Sequence, residues 1–231
     1  MKQFLKNNHH FLLNLYFPFY LAAFHFMESM RPERIHVLDC ALDHYIPFLE
    51  IFIIPYLLWF VYMLAAGFYF MFREKESFCR MMYFGMAGMT LFIIISLLYP
   101  NGLELRPDHF ARDNVFVDLV KMIYSSDTAT NVLPSIHVYN SVGVCIALHY
   151  SERLRDNALV QKGSSVLTVL IILSTMFIKQ HSVVDVVTAL ALSYVVWELV
   201  YNQGAARAAA FMEYMAELRN RRKRVPRWME K

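Results

Sequence analysis

Six apolar runs, Phe11 to Met27, Ile46 to Phe72, Met81 to Tyr99, Pro134 to Tyr150, Gly163 to Ile178 and Val183 to Tyr201, take up most of this 231-residue chain. A helix needs roughly 20 apolar residues to cross the hydrocarbon of a bilayer, and these runs are of that order, the fourth and fifth falling short. Inside lipid every backbone N–H and C=O must be satisfied within the protein, which leaves helices or a closed barrel. A barrel needs strands of alternating polarity, and these runs do not alternate. The expected fold is therefore all-α, an integral membrane bundle of six transmembrane helices. Composition agrees, since 58% hydrophobic and 18% charged residues depart from the roughly 45–50% apolar and 25% charged of soluble domains.

The connections between the runs set the orientation, because cytoplasmic loops collect Lys and Arg. One side gathers sixteen of the 22: Lys2, Lys6, Arg73, Lys75, Arg80, Arg153, Arg155, Lys162 and eight more in the tail from Arg207 to Lys231. The other side holds Arg31, Arg34, Arg106, Arg112, Lys121 and Lys179. Both termini are thus expected in the cytoplasm. Lys2 and Lys6 before an apolar run resemble a signal peptide, but no small-residue cleavage site follows Met27, so this segment reads as a retained first helix. Cys40, Cys79 and Cys145 fall outside, inside and mid-helix, where no two can meet in a disulfide.

No internal repeat or low-complexity linker breaks the chain. Residues 1–203 read as one membrane domain and 204–231 as a basic cytoplasmic tail, helix-forming in its first part and suited to lie along an anionic lipid surface. The longest connection runs from Pro100 to Leu133. Within it Asp113 is expected to cap a short helix whose Val115, Phe116, Leu119, Val120 and Ile123 share a face.

Polar residues interrupt this apolar pattern at three places on one side. FIKQHSVVDVV, residues 177–187, carries Lys179, His181 and Asp185; NVLPSIHVYN, residues 131–140, carries Ser135 and His137; LELRPDHF carries Arg106 and Pro107. His181 and Asp185, four apart, share a helix face, so the carboxylate can hold the imidazole in one tautomer. Ionisable side chains at membrane depth are expensive and mark function. Arg106 suits bidentate recognition of phosphate oxygens, and Lys179 adds a second positive charge. Each alone also has a plain reading: a satisfied polar pair, a helix cap at Ser135, an interfacial anchor at Arg106 or Lys179. Asp39 and Asp43 lie on the same side, and nothing in the sequence separates them from solvated loop acids.

Together these residues resemble the type-2 phosphatidic acid phosphatase superfamily, whose members carry K-x6-R-P, P-S-x-H and S-R-x5-H-x3-D. Here RP stands at 106–107, PSIH at 134–137 and H-x-x-x-D at 181–185. The resemblance runs from Tyr99 to Asp185 in motif and across the chain in its six-helix topology. Two positions depart from it: Tyr99 stands where the family has Lys and Thr175 where it has Arg, although Ser174 is in place. Lys179 and the flavour of HSVVDV are closer to the sphingomyelin synthase and inositol-phosphorylceramide synthase branch, which passes the phosphoryl headgroup to another lipid.

The resemblance implies a membrane-embedded, metal-independent lipid phosphate phosphatase acting at the extracytoplasmic face. His181 attacks phosphorus to form a phosphohistidine, Asp185 orients it, and His137 protonates the leaving alkoxide. Arg106, Lys179 and Ser135 bind the phosphoryl oxygens. A lipid headgroup phosphotransferase is the alternative, and a non-enzymatic channel or transporter, with His and Asp lining an ion path, is a third of a different class. His181, Asp185 and His137 number enough for a three-ligand zinc site, but two nearby cations would repel the ion. The expected partners are the membrane and a lipid phosphate, with no cofactor and no nucleic acid, and the expected location is a bacterial plasma membrane.

Overall fold

The computed structural model describes residues 9–30 and 34–203, with positions 210 and 214. Lys2, Lys6 and Arg31 lie outside the described residues, as does the tail expected to be helical from Gly204 on, apart from those two positions. Helix α1 (Tyr16–Ser29) follows a 3-10 segment, His9–Leu15. Pro18 sits in its first turn, where a missing N–H removes no helical bond. Then come β1 (His36–Val37), the short α2 (Ala41–Tyr45), α3 (Ile53–Arg73), α4 (Lys75–Leu98), β2 (Asn101–Gly102), α5 (Val115–Ser126), α6 (Ile136–His149), α7 (Ala158–Phe177) and α8 (Val183–Trp197). A wider π turn, Glu198–Asn202, prolongs α8.

Among the described residues four helical stretches are long and apolar enough to cross a membrane: Glu50–Arg73, Lys75–Leu98, Ala158–Phe177 and Val183–Asn202. The chain is a mostly helical membrane protein. The expectation of six spans meets a difference at α1 and α6, which have 14 residues each. In the first, the 3-10 segment and Pro18 delay the α-helix; in the second, the helix starts only after Pro134 and stops before Ser151. On α3, Phe60, Val61, Leu64, Phe68 and Phe72 are exposed, a face that water would penalise and lipid satisfies.

Helix α6 packs against α3, α4, α7 and α8, and small residues make this possible. Gly88 on α4 receives the Tyr139 ring, which a Cβ there would meet at 2.0 Å; Gly143 on α6 receives the Phe84 ring, which a Cβ would meet at 2.6 Å. The two rings stack with centroids 4.5 Å apart, and the Tyr139 hydroxyl donates to the Phe84 carbonyl at 2.7 Å.

At one end of the bundle the connections form a small structure of their own. β1 pairs in parallel with β2, His36 beside Asn101, and the Asn101 side chain accepts from the N–H groups of Val132 and Leu133 at 2.8 and 3.1 Å. The helix expected in the long connection is α5, but its cap is Asn114, whose side chain accepts from Phe116 and Val117 N–H. Asp113 instead lies exposed, 3.9 Å from the Lys121 ammonium. The buried face is Val117, Val120 and Ile123, with Val115 turned out. Glu50 holds α5 over the start of α3, accepting from Arg112 at 2.9 Å and Asn114 at 3.1 Å. The three cysteines are free.

Candidate active site

Three helix ends meet at this end: the end of α7, the start of α8 and the start of α6. Helix α7 stops in a tight turn in which Lys179 takes the left-handed conformation, φ 55°. Its N–H donates to the Met176 carbonyl at 3.1 Å, and Gln180 N–H donates to Thr175 at 2.9 Å, the crossed pair of bonds that usually has glycine at its left-handed residue. Five residues, 178–182, separate α7 from α8, and His181 is one of them.

Ser182 caps α8, its hydroxyl accepting from Val184 N–H at 3.1 Å. The Asp185 carboxylate closes the capping box, with Oδ2 accepting from Ser182 N–H at 2.9 Å. The same Oδ2 is 3.2 Å from His181 Nδ1. A carboxylate only accepts, so Nδ1 of His181 carries a proton and Nε2 keeps its lone pair. That Nε2 lies 3.3 Å from His137 Nδ1, and Ser135 N–H donates to the Asp185 carbonyl at 3.3 Å. Asp185, His181 and His137 thus form one hydrogen-bonded line, all three side chains buried. Tyr56 and Trp59 flank the His137 ring, centroids 4.9 and 4.6 Å away.

Arg106 reaches this line through Gln180. Its Nη2 donates to the Gln180 side-chain oxygen and to the Asp127 carbonyl at 2.8 Å. Nη1 donates to the Tyr124 carbonyl at 3.2 Å, and the guanidinium lies 4.3 Å over the Tyr124 ring. Arg106 Nε is buried without a protein partner. Burial lowers the proton affinity of Arg106, against the pull of Tyr124 and Asp127, but a guanidinium keeps its charge regardless. Gln180 Nε2 also donates to Asp127 Oδ2 at 3.3 Å, as does the Tyr56 hydroxyl at 3.4 Å. Burial lifts the Asp127 carboxyl above the usual carboxylate range, with His181 and Arg106 pulling it back only in part.

A family model described as PAP2 superfamily matches residues 83–209, more than half of the chain. The chain belongs to the PAP2 superfamily. No curated protein and no solved structure matches it. PAP2 members act on phosphate esters, and this one carries that chemistry in a membrane-type helical fold. The matched segment begins on α4 and takes in Arg106, PSIH and the His181 turn.

In this PAP2 member His181, His137 and Asp185 come together, and Arg106 joins them at one residue's remove. Ser135 caps α6, its hydroxyl accepting from Val138 N–H at 3.3 Å. Lys179 directs its ammonium to the Asp43 and Ile46 carbonyls, at 2.8 and 2.6 Å. At the two departures from the PAP2 pattern, Tyr99 stacks on His36, centroids 4.2 Å apart, and Thr175 turns its hydroxyl back to the Ile172 carbonyl of its own helix at 2.8 Å.

Four residues of the site escaped sequence reasoning. Gln180 lies inside the quoted stretch but is uncharged; Tyr56 looks like one more core aromatic; Asp127 sits in a polar loop, SSDTATN, with nothing to mark it. Asp43 is the fourth: it is 2% exposed while Asp39 remains open in an ion pair with His44. Only its apolar surroundings, ALDHYIPF, distinguish it in the sequence.

Proposed function

We propose that this protein is a lipid phosphate phosphatase that works through a phosphohistidine, embedded in the membrane with its site on the extracytoplasmic face. The observation that carries the reading is the line from Asp185 through His181 to His137. With its Nδ1 proton held by Asp185, His181 presents the Nε2 lone pair to phosphorus. The P–N bond forms as the ester P–O bond breaks, and the departing alkoxide takes the proton of His137, already beside the nucleophile at rest. Water then attacks phosphorus, His137 removes its proton, and phosphate leaves His181. Arg106 and the amino-terminal ends of α6 and α8, capped by Ser135 and Ser182, supply positive potential for the phosphoryl oxygens. Those groups meet the charge of the transferring phosphoryl, so the scheme invokes no metal.

The six-span topology, cytoplasmic termini and bacterial plasma membrane belong to the same reading. The excess of Lys and Arg in the connections at the other end supports the sidedness. A second reading, headgroup transfer to a lipid alcohol, is favoured by the charge count. Tyr99 and Thr175 replace two family cations, and the Lys179 ammonium is engaged on carbonyls. With fewer positive charges such a site suits a singly charged phosphodiester better than a dianionic monoester.

The test is free phosphate released from lipid mono- and diphosphates by purified protein in excess chelator, against His181→Ala. Release that vanishes in the variant is the expected result. Release that persists in the variant removes His181 from the chemistry, and a new phospholipid in place of phosphate moves the assignment to transfer.

A further inference from the structure

The turn that carries the proposed nucleophile is fastened to a segment far away in sequence, residues 40–49, on both sides of His181. Before it, Leu49 N–H donates to the Phe177 carbonyl at 3.0 Å, and Lys179 Nζ donates to the carbonyls of Asp43 and Ile46 at 2.8 and 2.6 Å. After it, the Asp43 carboxylate accepts from Ser182 Oγ at 2.6 Å and from Val183 N–H at 2.8 Å. Cys40 N–H, at 3.0 Å from Asp43 Oδ2, holds that carboxylate in place. Ser182 is fully buried, Asp43 is 2% exposed and Lys179 is 9% exposed.

We propose that Lys179 and Asp43 are positioning residues, a clamp that fixes the turn from Lys179 to Val183, and that the Lys179 ammonium does not bind the substrate phosphate. Lys179 occupies a backbone conformation that glycine adopts freely and lysine does not. What a lysine adds there is the reach of its side chain to two carbonyls. Asp43 in turn takes the place of an external anion at the first N–H of α8, where a negative charge is favoured. Burial pushes the Asp43 carboxyl up, but hydrogen bonds from Ser182, Val183 and Cys40 outweigh it and keep the group ionised. Burial lowers the Lys179 ammonium, opposed by Asp43 and Asp39, so the buried cation and anion support each other. The effect reaches the chemistry through Ser182: its N–H and the His181 ring share Asp185 Oδ2, so a loosened cap loosens the imidazole.

The kinetic arm of the test rests on the phosphatase reading; the exchange arm does not. Lys179→Gly removes the reach while relaxing the backbone, and Asp43→Asn keeps the size of the side chain while removing its charge. Hydrogen exchange at the amides of Ser182 to Asp185 is expected to quicken about tenfold or more in both variants. On a lipid phosphate, kcat is expected to fall about 10- to 100-fold, as small misplacements of a reacting group do, while KM and competitive inhibition by inorganic phosphate stay within about twofold. Arg106→Ala, by contrast, is expected to weaken phosphate inhibition about tenfold with exchange at 182–185 unchanged. Weakened phosphate inhibition in Lys179→Gly with wild-type exchange would make Lys179 a phosphate ligand and overturn the clamp. Unchanged exchange and unchanged kcat would overturn it as well. If the wild type releases no phosphate from any lipid, the proposed function fails and the exchange arm alone decides the clamp. If Lys179→Gly does not fold, Asp43→Asn decides it by the same two readings.

Discussion

In the proposed reaction His137 and His181 perform different work on the same phosphorus, and leaving groups of different basicity separate them. A lipid alkoxide needs a proton as it departs, whereas an aryl oxide does not. His137→Asn is therefore expected to lose about 10²- to 10⁴-fold on a lipid phosphate and much less on p-nitrophenyl phosphate, while His181→Ala loses both; phosphate release from the two substrates is the measurement. Asp127 makes a second case at this scale. Its folded-state carboxyl is raised by burial, so the stability it contributes is complete below its unfolded value, near pH 4, and is lost as pH rises through the higher folded value. Asp127→Asn is expected to raise the Tm at pH 7 and to flatten the decline of Tm above pH 4, read from thermal scans across that range. The meeting of the two histidines and Asp185 was legible because their spacing puts ionisable groups where a lipid-buried helix has none. Gln180 and Asp127 were not, since their importance comes from what the turn and α5 bring beside them.

At the scale of elements, the close approach of α4 and α6 gives a paired prediction. Gly88→Ala places a methyl 2.0 Å from the Tyr139 ring and is expected to destabilise by about 1–3 kcal/mol, as overpacking does. Gly67→Ala on α3 meets nothing within 4 Å and is expected to be neutral or to stabilise by about 0.5–1 kcal/mol; thermal unfolding in one detergent compares them. Neither outcome could be foreseen from the sequence, where both glycines sit in equally apolar runs. Hydropathy located the helices but not their ends. The cap of α5 is Asn114 rather than Asp113, and packing of Val120 and Ile123 against Ile53, Tyr56 and Ile178 leaves Val115 outward and Val117 inward. Similarly, Pro18 and the 3-10 segment before α1 take length from a run that hydropathy alone counts as a span.

For the whole molecule, the proposed sidedness places the ends of α7 in different compartments. Tyr45 is 82% exposed beside the active-site end and Leu159 is 83% exposed at the start of α7. With Cys40, Cys79 and Cys145 replaced, a cysteine at position 45 is expected to react with a membrane-impermeant maleimide in intact cells. One at position 159 is expected to react only after permeabilisation; the reverse pattern would invert the protein. That the fold is helical and of membrane type was legible because lipid leaves the backbone so few options, but the fastening of Asp43 onto Lys179 and Ser182 joins residues 136 and 139 apart in sequence, which no local pattern announces. That His181 and Asp185 stand at the entry to α8 also gives the protein a schedule. A ribosome delivers Arg106, Ser135 and His137 well before it delivers the atom proposed to attack phosphorus. On the proposed chemistry an unfinished copy threading into the bilayer is silent towards the lipids around it, and activity begins only when α8 arrives and closes against the other helices.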